Sequence, residues 1–354
     1  MLLMIHVDDG VCAGRPKEIA KVMECLKKEV EVLEIGWIDT HLAVNYELRK
    51  DEIGWYFECE MRKYVMDVVD DFEREWYGGE ALPDRPTPMM PGQCLLKSEP
   101  DATIIDISSY QKYVGRLLYA ITKVIPDCAN TIRELSCYMS APSGPHWRAL
   151  KQLLCYLKHR YKPLKLRAPT ELRVIAAFDA DWASDKNDRK SISSYVTTIG
   201  GTALTNFQSK KQQTVVLSSC EAETMAGTLC AQDVLFTRNL LREIVGERLL
   251  SLSYIYGDNV ASLFLAQNNS LGQRSKHIDI KHRFMHDLVV NDDVELRHVR
   301  SEDNSADIGT KSVTIETHEK LSDQVHNGLI IAKTSTKEDV ESICETPKNE
   351  EEDG

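Results

Sequence analysis

The chain has 354 residues, of which 42% are hydrophobic and 28% are charged, and its formal net charge is −12 at pH 7. This length predicts two to three domains, and the hydrophobic content is enough to build their cores. The ten cysteines form no C-x-x-C pair, which argues against a disulfide framework or a zinc site. The sequence shows no long apolar span, secretory signal or lipidation motif. We therefore expect an intracellular protein, cytoplasmic, nuclear or both, with no membrane partner.

Two apolar segments at the N-terminus, residues 1–5 and 11–13, flank the sequence VDDG. They predict a β-hairpin with Asp8 and Asp9 in its tight turn. Adjacent carboxylates repel each other unless cations neutralise them, but in isolation this pair is a weak signal and favours a plain solvated turn. An amphipathic helix over residues 17–31 and a second helix around KYVMDVV complete the first predicted domain, residues 1–95.

The segment 78–92, GGEALPDRPTPMMPG, is rich in proline and glycine and predicts a flexible connector. Beyond it, leucine and isoleucine recur at helical spacing over residues 105–165, and Pro142, Gly144 and Pro145 interrupt the pattern. This region predicts a helical bundle. Trp147 is expected in its core or at an interface rather than on nucleic acid.

Residues 170–317 alternate short strands with helices. The apolar run 172–178 predicts a buried strand, and the segments 194–199 and 202–208 predict a hairpin through the Gly200-Gly201 turn. A helix is predicted over residues 221–245, and two more strands over 252–256 and 294–299. The order predicts an α/β fold with a mixed sheet and flanking helices.

Four acids lie at strand ends and helix starts of this region: Asp179, Glu223, Asp258 and Asp307. The gaps between them are 44, 35 and 49 residues, so no single helix or loop supplies them and a folded sheet must bring them together. Two divalent cations about 3.5–4 Å apart require several hard oxygen ligands from distant elements. Each acid alone would be assigned to a solvated turn. The four in order predict a two-metal phosphodiesterase site for two Mg²⁺ ions, with Mn²⁺ as an alternative.

Five motifs carry a family resemblance: DADWASDKNDRKSISSYV, SKKQQTVVLSSCEAE, YGDN, RSKHIDIKHRF and SADIGTK. Together they resemble the ribonuclease H domain of copia-type LTR retrotransposon Pol polyproteins. The resemblance implies a ribonuclease H-like fold and makes Asp179, Glu223, Asp258 and Asp307 the catalytic, metal-binding carboxylates. It places the catalytic glutamate at Glu223 and not at Glu221. The activity that it implies is metal-dependent hydrolysis of the RNA strand of an RNA–DNA hybrid.

Basic and amide side chains in the same motifs are candidates for binding the hybrid. They are Lys210, Lys211, Gln212, Arg274, Lys276, His277, Lys281 and Arg283. Because a hybrid is read by shape, backbone and 2′-hydroxyl, little base readout is expected. The alternative is an ordinary solvated basic helix face, since a run of charges alone is weak evidence for phosphate binding.

The succession from MLLMIHVDDGVCAG to the KYVMDVV helix resembles the palm end of a copia-type reverse transcriptase. Residues 105–165 resemble the helical thumb or connection region that follows it. Asp8 and Asp9 would then be a remnant of the polymerase metal site. His6 stands where the family has tyrosine, and no upstream part supplies a third palm carboxylate. We therefore expect no DNA polymerisation by this chain alone, and the upstream part of the polyprotein is a candidate partner.

Residues 321–354 hold nine acids and three lysines and predict an acidic, disordered tail. Gly309 replaces the large apolar residue of the family in ADIGTK, which predicts a loosened turn around Asp307. Two alternatives to an active ribonuclease H remain. One is an inactive retrotransposon relic that acts at most as a nucleic-acid-binding or interaction module. The other is a resolvase- or integrase-like nuclease of the same fold, against which SKKQQTVVLSSCEAE argues.

Overall fold

A computed structural model describes residues 1–97, 106–268 and 276–328, with the backbone alone at residues 268, 276–280 and 282. Within these ranges the strands form three sheets, of two, four and five strands. No helix in the described ranges combines the length and apolar character needed to cross a membrane.

The N-terminal hairpin forms as predicted. Strands β1 (Leu2–His6) and β2 (Asp9–Ala13) pair antiparallel, and helix α1 (Pro16–Glu29) follows. Apolar side chains of β1 stay in solvent, since Met4 is 51% exposed and Ile5 is 64% exposed. Helix α1 contains no buried residue. The two apolar segments therefore form a hairpin in which neither face is buried.

The four-stranded sheet joins two parts of the chain that are far apart in sequence. Its antiparallel order is β3 (Thr40–His41), β4 (Val44–Lys50), β5 (Trp55–Glu60) and β6 (Leu164–Arg167). Between β5 and β6 lie four helices: α2 (Arg62–Tyr77), α3 (Ile107–Val124), α4 (Ala129–Ser136) and α5 (Gly144–Arg160). Trp147 on α5 packs in the predicted way, against Phe72, Trp76 and Tyr113.

The proline- and glycine-rich connector is anchored, so the prediction of a flexible linker is wrong. Its Leu82 N–H donates to the Glu73 carboxylate at 2.6 Å, and the ring of His159 donates to the Leu82 carbonyl at 2.8 Å. Further along, Gly92 N–H donates to the Ser312 carbonyl at 2.8 Å. Leu82 and Met89 are buried. Apolar side chains within the segment outweigh the flexibility that its composition suggests.

The five-stranded sheet is mixed, which confirms the predicted fold class. Its order is β9-β8-β7-β10-β11, formed by β7 (Val174–Asp181), β8 (Ile192–Ile199), β9 (Ala203–Lys211), β10 (Ser253–Gly257) and β11 (Val294–His298). Strand β7 is antiparallel to β8 and parallel to β10. Gly200 and Gly201 make the β8–β9 turn with φ of 61° and 67°, the left-handed conformation that glycine adopts without strain.

Helices cover both faces of this sheet. They are α6 (Ser219–Val245), α7 (Val260–Asn268), α8 (Lys276–Val290) and α9 (Ile315–His326). Ala176 and Phe178 of β7 belong to one buried cluster with α6, whereas Ala177 belongs to the other, because successive strand residues point to opposite faces. That second cluster also contains core residues of α2 to α5, such as Val69 and Leu153. The helical region and the sheet thus share one core.

Helix α9 corrects the predicted extent of the acidic tail. Leu321 and Val325 are 1% and 0% exposed, so residues 321–328 are not a disordered tail. Leu321 and Val325 lie one helical turn apart and pack into the core shared with α5. Most of the acids that suggested a tail come later in the sequence. The remaining part of that prediction, residues 329–354, lies outside the described residues.

Candidate active site

Three of the four predicted carboxylates converge. Asp179 lies near the end of β7, Glu223 in the first turns of α6, and Asp258 directly after β10. One oxygen from each lies within 4.8 Å of the others, a grouping of acids found nowhere else in the described residues. Strand β10 is parallel to β7, and Tyr256 lies opposite Ala177. Two residues further along each segment, Asp258 therefore lies beside Asp179. Parallel strand pairing therefore builds the site.

The fourth acid, Asp307, lies in the 3₁₀ turn Ser305–Gly309 and is 6% exposed. Its carboxylate pairs with the ammonium group of Lys311 at 2.9 Å. Asn304 fixes this turn, because its Nδ2 donates to the Phe178 carbonyl at 2.8 Å and its Oδ1 accepts from Ala306 N–H at 3.1 Å. Sequence reasoning missed Asn304, although an asparagine at a helix N-cap is a recognised signal.

Two hydroxyl groups orient the acids and were also missed. Thr310 Oγ1 donates to the Asp179 carboxylate. Ser301 Oγ donates to Asp258 Oδ2 at 2.6 Å. Such supporting contacts hold metal ligands in place, and their partners lie 131 and 43 residues away in sequence. No local motif could have identified them.

Burial and mutual repulsion shift the acids toward their protonated forms. Burial, followed by the charges of Asp179 and Asp258, raises the pKa of Glu223 to about 10. Burial and the charge of Asp179 raise the pKa of Asp307 to about 8, although Lys311 opposes the shift. The pKa of Asp179 is also raised by burial, against the effects of Lys311 and Thr310. Carboxylates held this close require a compensating positive charge.

The donor set fits a hard divalent cation. Glu223 Oε2 and Asp307 Oδ1 are buried without a hydrogen-bond partner, and such orphaned carboxylate oxygens are costly unless a cation or water satisfies them. Only oxygen ligands are present, as Mg²⁺ and Mn²⁺ prefer. Asp179, Glu223 and Asp258 could hold one ion, and Asp307 could contribute once its ion pair with Lys311 loosens.

Metal binding should reduce the pH dependence of the free energy of unfolding. An acid with a raised pKa keeps its proton in the folded state at a pH where the unfolded chain, with a glutamate pKa of about 4.3, has lost it. We therefore expect the free energy of unfolding of the metal-free protein to fall as pH rises through neutrality, until Glu223 and Asp307 ionise in the folded state. Bound Mg²⁺ requires ionised ligands, so it should flatten this dependence. Urea unfolding between pH 5 and 9, with and without Mg²⁺, measures the effect. Identical pH profiles in both conditions would contradict it.

Gly309 tightens the site, so the expected loosening is wrong. It lies at the end of the Asp307 turn, and an added Cβ would lie 2.9 Å from Ser194 Cβ on β8. That distance is too short for two carbon atoms in contact. Glycine lets the turn approach the sheet next to Asp179, which pairs with Ser194.

The variant Gly309→Ala should lower the free energy of unfolding by about 1–3 kcal/mol, the usual cost of overpacking. Urea denaturation followed by circular dichroism measures the change. Gly115→Ala is the matched control, because nothing lies within 4 Å of the added Cβ there. In helix α3 this control should stabilise by about 1 kcal/mol. Equal effects at the two glycines would show that the contact with Ser194 is unimportant.

The predicted substrate contacts are in different environments. Lys210 and Arg283 are exposed, and Lys281 is half-buried. Lys211 pairs with Asp185 at 2.5 Å and Asp188 at 2.8 Å. Its charge is therefore already neutralised within the protein. Arg274 lies outside the described residues, as do the side chains of Lys276 and His277.

Gln212 is not placed to bind a substrate. It is 5% exposed, and its Nε2 donates to Ser193 Oγ at 2.9 Å and to the Ala222 carbonyl at 3.0 Å. The prediction of a phosphate contact is therefore corrected. Glu221 lies in the first turn of α6, where its backbone N–H donates to the N-cap Ser218 and its carboxylate accepts from Leu217 N–H at 2.9 Å. This agrees with its exclusion as the catalytic glutamate.

Asp8 lies in the hairpin turn, whereas Asp9 begins β2 opposite His6, so the prediction that both occupy the turn holds for Asp8 alone. Both residues are exposed. Among the residues that the structure describes, no third acid approaches them closely enough to form a group of three possible ligands. Their assignment as a remnant of a polymerase metal site stays a prediction.

Comparisons with known proteins agree with this description. No family model matches the sequence. The chain is 27% identical over 320 residues to the retrovirus-related Pol polyprotein from transposon TNT 1-94 of Nicotiana tabacum, covering 88% of this chain and 23% of that protein. It is 29% identical over 315 residues to the retrovirus-related Pol polyprotein from transposon RE2 of Arabidopsis thaliana, covering 88% and 21%. The chain therefore spans about a fifth to a quarter of the length of these curated relatives.

Two other similarities cover shorter stretches. A stretch of 129 residues is 37% identical to the secreted RxLR effector protein 161 of Plasmopara viticola and covers 89% of it. Among solved structures, ribonuclease H1 from Halobacterium salinarum aligns with 38% of this chain and 90% of its own, at 16% identity and a TM-score of 0.27.

The strand order and strand directions of the five-stranded sheet are those of a ribonuclease H-like fold, and three acids converge at the carboxyl ends of its strands β7 and β10. By sequence, the chain is a relative of the copia-type, retrovirus-related Pol polyproteins of transposons over most of its length.

Proposed function

We propose that the protein hydrolyses the RNA strand of an RNA–DNA hybrid by a two-metal, ribonuclease H-type mechanism. The observation that supports this most directly is the convergence of Asp179, Glu223 and Asp258 from three separate elements. The relationship to Pol polyproteins of transposons supports the same class of activity.

Divalent cations, when bound, would activate a water molecule and stabilise the leaving 3′ oxygen. The residues of the chain prepare that chemistry. Thr310 and Ser301 donate hydrogen bonds that orient Asp179 and Asp258. Lys311, with 43% of its side chain exposed, pairs with Asp307 and would offer its positive charge to the phosphate once Asp307 turns toward a bound cation. The water oxygen forms a bond to phosphorus, the bond from phosphorus to the 3′ oxygen breaks, and the 3′ oxygen takes up a proton.

Binding of the hybrid should rely on exposed basic groups around the acids. Lys210 at the end of β9 and Arg283 on α8 remain candidates because both are exposed. The formal net charge of −12 predicts binding that is weak and sensitive to salt. Recognition would rest on the backbone and the 2′-hydroxyl rather than on base sequence.

Cleavage of a labelled RNA–DNA hybrid by the purified chain, with Mg²⁺ or Mn²⁺, tests the proposal. Single-stranded RNA and duplex DNA are the control substrates, and a chelator provides the metal-free control. We expect metal-dependent cutting of the RNA strand of the hybrid only. A folded protein that binds Mg²⁺ without cutting the hybrid would favour the inactive relic, with hybrid binding as its remaining function.

A second candidate function is association with the upstream part of a Pol polyprotein. The observation that favours it is the exposed apolar strand β1, in which Leu2 is 43% exposed and Met4 is 51% exposed. Exposed apolar patches of this kind mark interaction surfaces. Co-sedimentation with an upstream reverse transcriptase segment tests it, and Met4→Lys should abolish the association. Equal association of that variant would place the contact elsewhere.

A further inference from the structure

Gln212 is a buried polar side chain whose hydrogen bonds all lie within the protein. Its backbone N–H donates to the Ser191 carbonyl at 2.8 Å, and its Nε2 donates to Ser193 Oγ and to the Ala222 carbonyl. A carbonyl oxygen can only accept, so the Ala222 contact identifies the amide atom that faces it as nitrogen. Both protons of Nε2 are therefore used internally.

These bonds connect elements that carry the catalytic acids. Ala222 directly precedes Glu223 on α6, and Ser193 pairs across the sheet with Ala180 of β7. Phe178 of β7 in turn packs in one buried cluster with Ala226 of α6. Gln212 thus closes a ring of contacts that runs from β9 through β8 and β7 to the start of α6.

We propose that Gln212 is a positioning residue that sets the first turns of α6 so that the Glu223 carboxylate reaches the metal-binding cluster. The inference rests on the proposed nuclease function. Glu223 is 5% exposed and its Oε2 has no hydrogen-bond partner, so the placement of that oxygen depends on where the helix begins. Small displacements of a reacting group are costly, since a shift of about 1 Å can lower a rate roughly 100-fold.

The variant Gln212→Leu tests the proposal, because leucine retains an apolar body of similar size without either donor. We expect Mn²⁺ affinity, measured by electron paramagnetic resonance without substrate, to fall roughly 10- to 100-fold, as for other residues that support metal ligands. The kcat for hybrid cleavage should fall comparably, while KM for the hybrid stays unchanged.

Two further variants separate this role from others. Lys210→Ala changes an exposed neighbour and should raise KM while leaving Mn²⁺ affinity unchanged. Ser193→Ala removes one of the two Nε2 acceptors and should weaken Mn²⁺ affinity less than Gln212→Leu does. This milder variant keeps the proposal testable if circular dichroism shows that Gln212→Leu does not fold.

Two results would overturn the inference. A folded Gln212→Leu protein with a raised KM and unchanged kcat and Mn²⁺ affinity would make Gln212 a substrate contact. Unchanged Mn²⁺ affinity together with unchanged kcat would make it a packing residue only. Failure of the nuclease proposal is distinguishable, because the wild-type protein would then bind Mn²⁺ and cut no hybrid. The Mn²⁺ affinities of the variants would still decide the role of Gln212.

Discussion

Replacing Asp258 with asparagine should abolish hybrid cleavage without unfolding the protein. Asp258 is half-buried directly after β10, so its carboxylate contributes to the site more than to the core. Asparagine has nearly the same volume but removes the charge of a proposed metal ligand. Loss of a supporting contact alone costs about 10- to 100-fold in metal affinity or activity, so loss of a ligand should cost roughly 100-fold or more. Initial cleavage rates at saturating hybrid measure the effect.

The same variant should respond differently to metal. Without Mg²⁺, removing one of three mutually repelling carboxylates should leave the free energy of unfolding unchanged or slightly raised. With Mg²⁺, the wild-type melting temperature should rise through preferential binding to the folded state, and that of Asp258→Asn should not. The difference separates loss of a ligand from loss of the fold.

Asp292→Asn is a matched control for the Asp258 prediction. Asp292 is an exposed turn residue with φ of 56°, a left-handed conformation that asparagine tolerates equally well. Cleavage and the Mg²⁺-dependent rise in melting temperature should both match wild type. Retained cleavage in Asp258→Asn would move the active site away from the three acids.

The largest effect on stability is expected from Asp127→Asn. Asp127, 3% exposed, accepts hydrogen bonds from Tyr156 OH at 2.5 Å and Ser322 Oγ at 2.9 Å, and it pairs with His326 Nε2 at 3.0 Å. The other ring nitrogen of His326 faces the Pro163 carbonyl at 3.2 Å. Both ring nitrogens of His326 face acceptors. Hydrogen bonds to a charged group contribute about 1.5–3 kcal/mol each, so weakening the two that Asp127 accepts should lower the free energy of unfolding by at least that amount, measurable by urea denaturation.

The buried Asp127 carboxylate also predicts a pH dependence of stability. Burial alone would raise the pKa of Asp127, but His326 and Tyr156 hold it well below its usual value. A lowered pKa contributes stability that is fully present above the unfolded-state value of about 3.9 and is lost as pH falls through the folded-state pKa. The stability difference between wild type and Asp127→Asn should therefore shrink in acid.

Asp323→Asn on α9, the helix that carries Ser322 and His326, is the matched control. Asp323 pairs with Lys162 at 2.6 Å, but its side chain is 67% exposed, and exposed ion pairs contribute only about 0–1 kcal/mol. We expect a small loss of stability in this variant and a large one in Asp127→Asn. Equal losses would show that the buried cluster does not attach α9 to the helical region.

Helix α9 connects the helical region to the five-stranded sheet, so the two parts share one core. Asp127 lies in the helical region, and its partners Ser322 and His326 lie on α9. Helix α9 follows Asp307, the last of the four candidate acids, in the sequence. The chain therefore returns to the helices after completing the site. Disturbing this contact should affect the Asp307 turn as well, since α9 follows it closely.

Local patterns in the sequence determined most of the elements of the site. Apolar runs and turn residues predict the strand that ends near Asp179, the Gly200-Gly201 hairpin and the helix that carries Glu223, because backbone preference and side-chain alternation are properties of neighbouring residues. The order of the four acids then allowed the ribonuclease H-like fold to be predicted. Asn304 offered only the preference of asparagine for a helix N-cap, and no local signal marked Thr310.

The tertiary structure alone decided which polar groups are free. Lys211 is paired with Asp185, 26 residues away, Gln212 is bonded to Ala222, and Asp127 is bonded to Ser322, 195 residues away. The sequence predicted Lys211 and Gln212 as substrate contacts because it gives the type of each side chain but not the partner that the side chain finds in the folded protein. Burial and hydrogen bonding depend on neighbours brought together by folding, so only the folded arrangement distinguishes a side chain available to a ligand from one that holds the site together.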